Sequence, residues 1–99
     1  LMSLPYKAFE SQHLTLVAST DTTVSFDPPV VAIRVRNWST TDRVLVSLSA
    51  IASDVDATAS RVGKAPASDI ANNSTFPVRT ASLHLRSAGA AEVTVEGYF

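Results

Sequence analysis

Two histidines and many serines are the residues that could take part in nucleophilic catalysis. Such catalysis needs a nucleophile, a base and an orienting group in contact. His84 falls on the polar side of its predicted strand, beside Arg86, and His13 opens another predicted strand. No serine occupies a G-x-S-x-G sequence, the nucleophile elbow of many hydrolases. We therefore interpret both histidines as surface residues and predict that the chain is not an enzyme.

Two aspartates in a D-x-D sequence could offer oxygen ligands to a cation. Asp54 and Asp56 have this spacing, but the glycine and distal glutamate of a calcium-binding EF-hand loop are missing. Lys64 follows Gly63 without the rest of a phosphate-binding loop. The chain has no cysteine, which excludes thiolate metal sites and disulfides. We predict no cofactor and interpret the D-x-D sequence as a solvated loop, with a metal site as the alternative.

A third group combines an aromatic side chain with charges of both signs. Alternation places Trp38 with Arg34 and Arg36 on the outward side of one strand. Tryptophan and arginine are enriched in interface hot spots, and an aromatic ring beside cations could also serve as a platform for sugars. The favoured interpretation is plainer: Trp38 covers the end of the fold. With the charges of the last two strands, the predicted interface set is Arg34, Arg36, Trp38, Arg86, Glu92 and Glu96.

Opposite charges on neighbouring strands would form a cross-strand ladder on that face. Each exposed pair would contribute less than about 1 kcal/mol, so the usual role of such a ladder is a solvated surface. If a second copy of the chain covered the face, the same ladder would set the register of an oligomer.

The composition is that of one globular domain. The chain has 99 residues, of which 45% are hydrophobic and 17% are charged. Eight basic and nine acidic residues lack the basic excess of nucleic-acid binders. No apolar run approaches the ~20 residues needed to span a bilayer, and the first residues lack the zones of a secretory signal. We predict a single domain over residues 1–99, with an N-terminal arm over 1–11, a long irregular excursion over 50–79, and neither nucleic acid nor membrane as partner.

The last twenty residues, TASLHLRSAGAAEVTVEGYF, contain two runs of strict alternation. Period-two alternation marks a strand with one apolar and one polar face, and two such runs around a glycine-containing loop predict an antiparallel hairpin. Setting Leu85 opposite Val93 centres the loop on Gly89. The same register places Arg86 opposite Glu92.

Further strands are predicted over residues 12–19, 23–26, 30–38 and 43–49, with a short strand or helical turn near 58–62. Two prolines after Asp27 cannot donate to a ladder, so we expect the chain to cross between sheets there. The strand 30–38 is predicted to be central. A tight hairpin from it would oppose Arg36 and Arg43, so strand 43–49 should lie in another sheet or follow a wider loop.

These patterns predict an all-β fold, an antiparallel β-sandwich of the jelly-roll or Ig-like kind with six to seven strands, and an open barrel as the alternative. The predicted core comprises Leu14, Ile33, Val46, Leu85 and Val95.

The rhythm of "TTVSFDPPVVAIRVRNWS", the irregular middle and the closing "ASLHLRSAGAAEVTVEGYF" resemble the small β-sandwich virion proteins of tailed bacteriophages. The resemblance spans residues 22–99 and brings no catalytic motif. It implies a structural role in a symmetric assembly, as a capsid decoration or cement protein or as a small tail module. The expected location is the capsid or tail surface of a virion, and the expected partners are copies of the chain and other virion proteins such as the major capsid protein.

A second hypothesis comes from a different class. The chain could be a carbohydrate- or ligand-binding β-sandwich module in which Trp38 and the flanking arginines contact a surface glycan. Loss of glycan binding in Trp38→Ala would favour it over the virion hypothesis.

Overall fold

A computed structural model describes residues 9–55, 59–62, 73–76 and 79–99. In this part of the chain the secondary structure is eight strands, and no helix of a length and hydropathy that could cross a membrane occurs. The strands are β1 (Phe9–Thr15), β2 (Thr22–Val30), β3 (Ala32–Asn37), β4 (Val44–Ser47), β5 (Ser60–Val62), β6 (Asn73–Phe76), β7 (Thr80–Arg86) and β8 (Glu92–Tyr98).

The eight strands form two antiparallel sheets. The first sheet has the order β1-β8-β3-β6, and the second has the order β2-β7-β4-β5. Their inner faces share one apolar core. The predicted all-β sandwich is therefore confirmed, with eight strands in the described residues rather than six or seven.

The core contains the five residues predicted for it. Ile33, Val46, Leu85 and Val95 are buried in one cluster, and the partly buried Leu14 packs against it. Alternation explains this result, because every second residue of each strand points to the same side of its sheet. Burial of these side chains is the main source of stability in a chain of this size.

The predicted hairpin is wrong. β7 pairs with β2 and β4, whereas β8 pairs with β1 and β3, so the two strands lie in opposite sheets. Their connection arches across the end of the sandwich, where Ser87 Oγ donates to the carbonyl oxygen of Gly89 and Leu16 N donates to Ala91 O over 2.8 Å. Both strands still turn their apolar side chains inward, so alternation cannot distinguish an arch from a hairpin.

The crossing between sheets near the proline pair is confirmed. β2 belongs to the second sheet and β3 to the first. Pairing of β2 with β7 shifts register between Ser25 and Val30, across the two prolines that have no N–H to donate. β3 lies between β8 and β6, as predicted for a central strand. β4 lies in the opposite sheet from β3, which is the first of the two alternatives given above.

Several strand ends differ from the predictions. β1 begins at Phe9, inside the predicted arm, and ends at Thr15, so Ala18 is exposed rather than inward. β4 ends at Ser47, and Leu48 is 52% exposed although alternation predicted it to be inward. The chain leaves the sheet at these points.

Part of the predicted irregular excursion is regular. β5 falls where a short element was predicted, but β6 was not predicted and forms an edge of the first sheet. The remaining predictions for residues 1–8 and for the excursion, including Asp56, Gly63 and Lys64, lie outside the described residues.

Candidate interaction face

The outer surface of the first sheet collects most of the predicted interface residues. β8 and β3 are neighbours, and alternate residues of each point away from the core. Because directly opposed residues share a face, the register fixes which side chains meet. We call this surface the outer face of the first sheet; its described members on these strands are Arg34, Arg36, Glu92, Thr94, Glu96 and Tyr98, with Trp38 immediately after β3.

Charges of opposite sign lie in adjacent rows on this face. Arg34 is opposite Glu96, and Arg36 is opposite Thr94. The Glu96 carboxylate also accepts a hydrogen bond of 3.0 Å from the Tyr98 hydroxyl. Of the predicted cross-strand charge ladder, one directly opposed pair, Arg34 and Glu96, is therefore present between β3 and β8.

Trp38 does not close the end of the sandwich, contrary to the favoured interpretation. Its side chain lies on the outer face, 44% exposed, and its indole Nε1 donates to Thr94 Oγ1 over 2.9 Å. The Arg36 guanidinium lies 4.2 Å from the ring centroid, a cation–π contact worth about 0.5–1 kcal/mol at an exposed position. These two contacts fix the orientation of the ring.

Hydrogen bonds in the turn after β3 fix the backbone on either side of Trp38. Asn37 is fully buried, and its amide donates to the carbonyl oxygen of Asp42 over 2.7 Å while its side-chain oxygen accepts from the Ser39 N–H over 2.9 Å. The Trp38 N–H donates to Glu92 O over 2.9 Å. A buried amide must be hydrogen-bonded to be tolerated, so these bonds make the turn specific.

A chain of polar groups continues from Trp38 to the edge of the sheet. His13 Nδ1 lies 2.9 Å from Thr94 Oγ1, and its Nε2 lies 3.9 Å from Glu92 Oε1. The order carboxylate, imidazole, hydroxyl is that of a catalytic triad. However, 3.9 Å exceeds hydrogen-bond length, and the side chains of His13 and Glu92 are 54% and 64% exposed. We interpret the chain of groups as a surface network.

Arg86 is not part of this face. It lies on the outer surface of the second sheet, where its Nε donates to Asp54 Oδ1 over 2.8 Å and its Nη1 donates to the carbonyl oxygen of Ile51 over 3.0 Å. Its predicted position opposite Glu92 depended on the hairpin and is wrong for the same reason. Trp38 instead lies beside Glu92 on the β3 side.

The outer surface of the second sheet is covered by the segment after β4. Leu45 points outward and is nevertheless buried, in a small cluster with Ile51 and Ala59. Two carboxylates fasten this segment. The Asp54 carboxylate binds Arg86 and accepts a hydrogen bond of 2.7 Å from the Ser19 hydroxyl. The Asp21 carboxylate accepts a hydrogen bond of 2.9 Å from the Ile51 N–H. We call these contacts the acidic clasp.

His84 also belongs to the acidic clasp. Its Nδ1 lies 2.9 Å from Asp21 Oδ2 and 3.3 Å from the hydroxyl oxygen of Thr23. Both neighbours use the same ring nitrogen, so the three residues do not have the two-sided geometry of a catalytic triad. As predicted, His84 is on the outward side of its strand next to Arg86, but the covering segment makes it half-buried.

Both carboxylates of the clasp have lowered pKa values. Burial alone would raise the pKa of Asp21, but the hydrogen bond from Ile51, the hydrogen bond and charge of His84, and the charge of Arg86 together hold it below the ordinary 3.8. The pKa of Asp54 is also lowered, chiefly by the hydrogen bonds from Arg86 and Ser19. Burial acts in the opposite direction and raises the pKa, while the positive charge of Arg86 lowers it further. Both shifts follow from stabilisation of the charged form.

We expect the clasp to open in acid. A lowered folded-state pKa means that the stabilisation is complete above the ordinary pKa of 3.8 and disappears as pH falls through the lower, folded-state values. Chemical denaturation from neutral pH to pH 2 should show stability falling more steeply for the wild type than for the double variant Asp21→Asn, Asp54→Asn. An equal dependence of stability on pH in the two proteins would contradict the role given to Asp21 and Asp54.

Hydrogen exchange gives a local control for the same prediction. In Asp21→Asn the Ile51 amide should exchange faster, because a neutral amide oxygen accepts this bond less strongly than a carboxylate. The Trp38 amide, bonded to the backbone of Glu92 in the other sheet, should keep its rate.

Both carboxylate oxygens of Asp54 have partners within the protein. Its two oxygens contact Arg86 and Ser19. Among the described residues, no group of three or more histidine, aspartate or glutamate side chains is arranged to hold a metal ion.

Comparison of the chain with protein-family models, curated proteins and solved structures found no match.

Proposed function

We propose that the chain is a non-enzymatic structural protein of a virion, a phage capsid decoration or cement protein that acts through its outer face of the first sheet. The observation that supports the proposal most is the exposed, oriented Trp38, held by Arg36 and Thr94 beside rows of opposite charge. Tryptophan, tyrosine and arginine are the residues enriched at the centres of protein interfaces. A face whose anchor side chains are already oriented loses little rotamer entropy on binding.

An aromatic pair extends the same surface. Phe9 is 52% exposed, and its ring centroid lies 6.0 Å from that of Tyr98 on the neighbouring strand. The outer face therefore has aromatic groups toward both of its ends and charges between them. Such a surface is suited to a broad protein partner, for which the major capsid protein and other copies of the chain are the proposed candidates.

The carbohydrate-binding module remains the alternative function. The fixed indole of Trp38 favours it, since a sugar needs a preset aromatic surface. The Arg36 guanidinium already lies over that ring, which weighs against stacking on the face it covers.

Immunogold electron microscopy tests the location. Antibodies raised against the purified chain should label the heads of virus particles prepared from the source culture, at a regular density. Antibodies first absorbed with the chain serve as the control. Particles without label, while the chain is present in the lysate, would refute the virion proposal.

The variant Trp38→Ala separates the two functions. Under the virion proposal, it should weaken binding of the purified chain to virus particles that carry no antibody about thirtyfold or more, because hot-spot truncations cost about 2 kcal/mol or more. Val17→Ala, another exposed apolar residue at 65% exposure, is the matched control. Glycan-array binding that Trp38→Ala abolishes, without particle binding, would favour the carbohydrate module instead.

A further inference from the structure

The outer face of the first sheet keeps its two signs of charge in separate rows. The carboxylates of Glu92 and Glu96 lie along β8, and the guanidinium groups of Arg34 and Arg36 lie along β3. Adjacent strands are about 4.8 Å apart, so the rows run side by side along the middle of the four-stranded sheet. At one level, Arg34 and Glu96 are directly opposed.

Two parallel rows of opposite sign make the face complementary to itself. Consider two copies placed face to face and related by a two-fold axis that runs along the strands, between β8 and β3. This rotation exchanges the two rows, so the acidic row of each copy covers the basic row of the other. It also preserves the level along the strand, so Glu96 meets Arg34 of the second copy.

The charges also select this axis over the competing one. A two-fold axis in the same plane but perpendicular to the strands would place β8 on β8, acidic row against acidic row. Like charges brought together are unfavourable, and the cost grows as water is displaced. Only the axis along the strands satisfies both rows at once.

We propose that the outer face of the first sheet binds a second copy of this chain, with the two-fold axis along the strands between β8 and β3. The inference rests on the proposed function, since it uses the same face, and it names one partner for it. The contact is isologous, as in most homodimers, because the same residues are used on both sides. Arg36 then lies over Thr94 of the second copy, and Trp38 lies over the second copy's Glu92.

The size of the face makes this a weak contact in dilute solution. Four strands at about 4.8 Å and seven residues at about 3.4 Å give roughly 450 Å² per copy, against about 800 Å² for a standard stable interface. A contact of this size is transient by itself. It gains strength where several copies are held on one particle, because a linked second contact acts at high effective concentration.

Charge reversal provides a sharp test. In sedimentation velocity over a concentration series at low salt, the wild type should show a dimer that increases with concentration and decreases with added salt. Glu96→Arg and Arg34→Glu should each remain monomeric, because each homodimer would contain two like-charge contacts. An equimolar mixture of the two variants should form the dimer again, since both contacts between unlike variants are attractive. Arg43→Glu, an exposed charge outside the face, is the matched control and should dimerise as the wild type does.

Two further observations keep the test decisive. Circular dichroism checks the fold of each variant, and the double variant Glu96→Arg, Arg34→Glu should dimerise by itself because it restores both kinds of contact. A wild type that stays monomeric at every concentration, or a mixture of folded variants that fails to restore the dimer, would overturn the proposal. If particle labelling persists in that case, the virion function stands and only the second-copy contact falls.

Discussion

Ile33→Ala is expected to lower the free energy of unfolding by about 2–5 kcal/mol, the range for deletion of a large buried aliphatic side chain. Ile33 is fully buried on β3, a central strand, and belongs to the core shared by both sheets. The loss combines the transfer energy of the removed methyl groups with the cavity left behind. Since small domains are stable by about 5–15 kcal/mol in total, the variant should unfold at much lower denaturant concentration.

A graded series makes this prediction specific to the core position. Ile33→Val should cost about 0.5–1.5 kcal/mol. Val31→Ala, two residues away and 46% exposed, should change stability by no more than about 0.5 kcal/mol. Urea unfolding followed by circular dichroism measures all three. Similar losses at positions 31 and 33 would contradict the inward orientation of Ile33.

Gly97→Ala is expected to destabilise the chain by about 1–3 kcal/mol, although alanine favours a strand no less than glycine does. Gly97 faces the core from β8, and an added Cβ would lie 2.7 Å from Phe26 Cε1 and 2.7 Å from Val30 Cγ1 of the second sheet. Carbon atoms in favourable contact are about 3.5–4.0 Å apart. The backbone of Gly97 does not have a positive φ, so backbone conformation does not require a glycine here. The requirement comes from the close approach of the two sheets.

A double-mutant cycle identifies the cause. Phe26→Leu removes the ring edge nearest to the added Cβ, so Gly97→Ala should cost less in that background than in the wild type. Gly89→Ala is the comparison: its Cβ would meet the end of the Asp42 side chain, which can rotate away, so the expected cost is smaller. Additive losses in the cycle would show that the Phe26 contact is not what makes glycine necessary.

Most inward residues within the strands could be predicted from sequence because alternation reports them directly, whereas the two failures, Ala18 and Leu48, lie beyond the ends of β1 and β4. Val24, Phe26, Ile33 and Val35 are all buried as their spacing requires. The same pattern carries no information about which sheet a strand joins, since both sheets face one core. That ambiguity produced the incorrect hairpin, and with it the incorrect pairing of Arg86 with Glu92.

The candidate face was predictable only where it depends on neighbouring strands with clear alternation. Arg34, Arg36 and Glu96 were placed on it correctly because β3 and β8 are both regular. The participation of His13 and Thr94 was not predicted, because their contact joins residues 81 positions apart. No local pattern encodes that pairing.

The acidic clasp shows a different limit. An unbroken apolar run, Val44 to Val46, indicates a strand buried on both faces and could have revealed that Leu45 is covered. What covers it could not be inferred, because Asp21, Ile51 and Asp54 lie in turns and loops whose positions depend on the whole fold. Their spacing in the sequence has no period that would bring them together.

The separation of β7 and β8 into opposite sheets has a consequence for how the protein is made. β8 lies between β1 and β3, so the first sheet has no continuous set of ladders until β8 has left the ribosome. The apolar side chains of the strands synthesised earlier remain exposed until then. Pairing between strands that are far apart in the sequence is also intrinsically slow. The first sheet therefore cannot be completed before residues 92–98 have been synthesised, and a nascent chain stalled before residue 92 leaves apolar strand surfaces exposed.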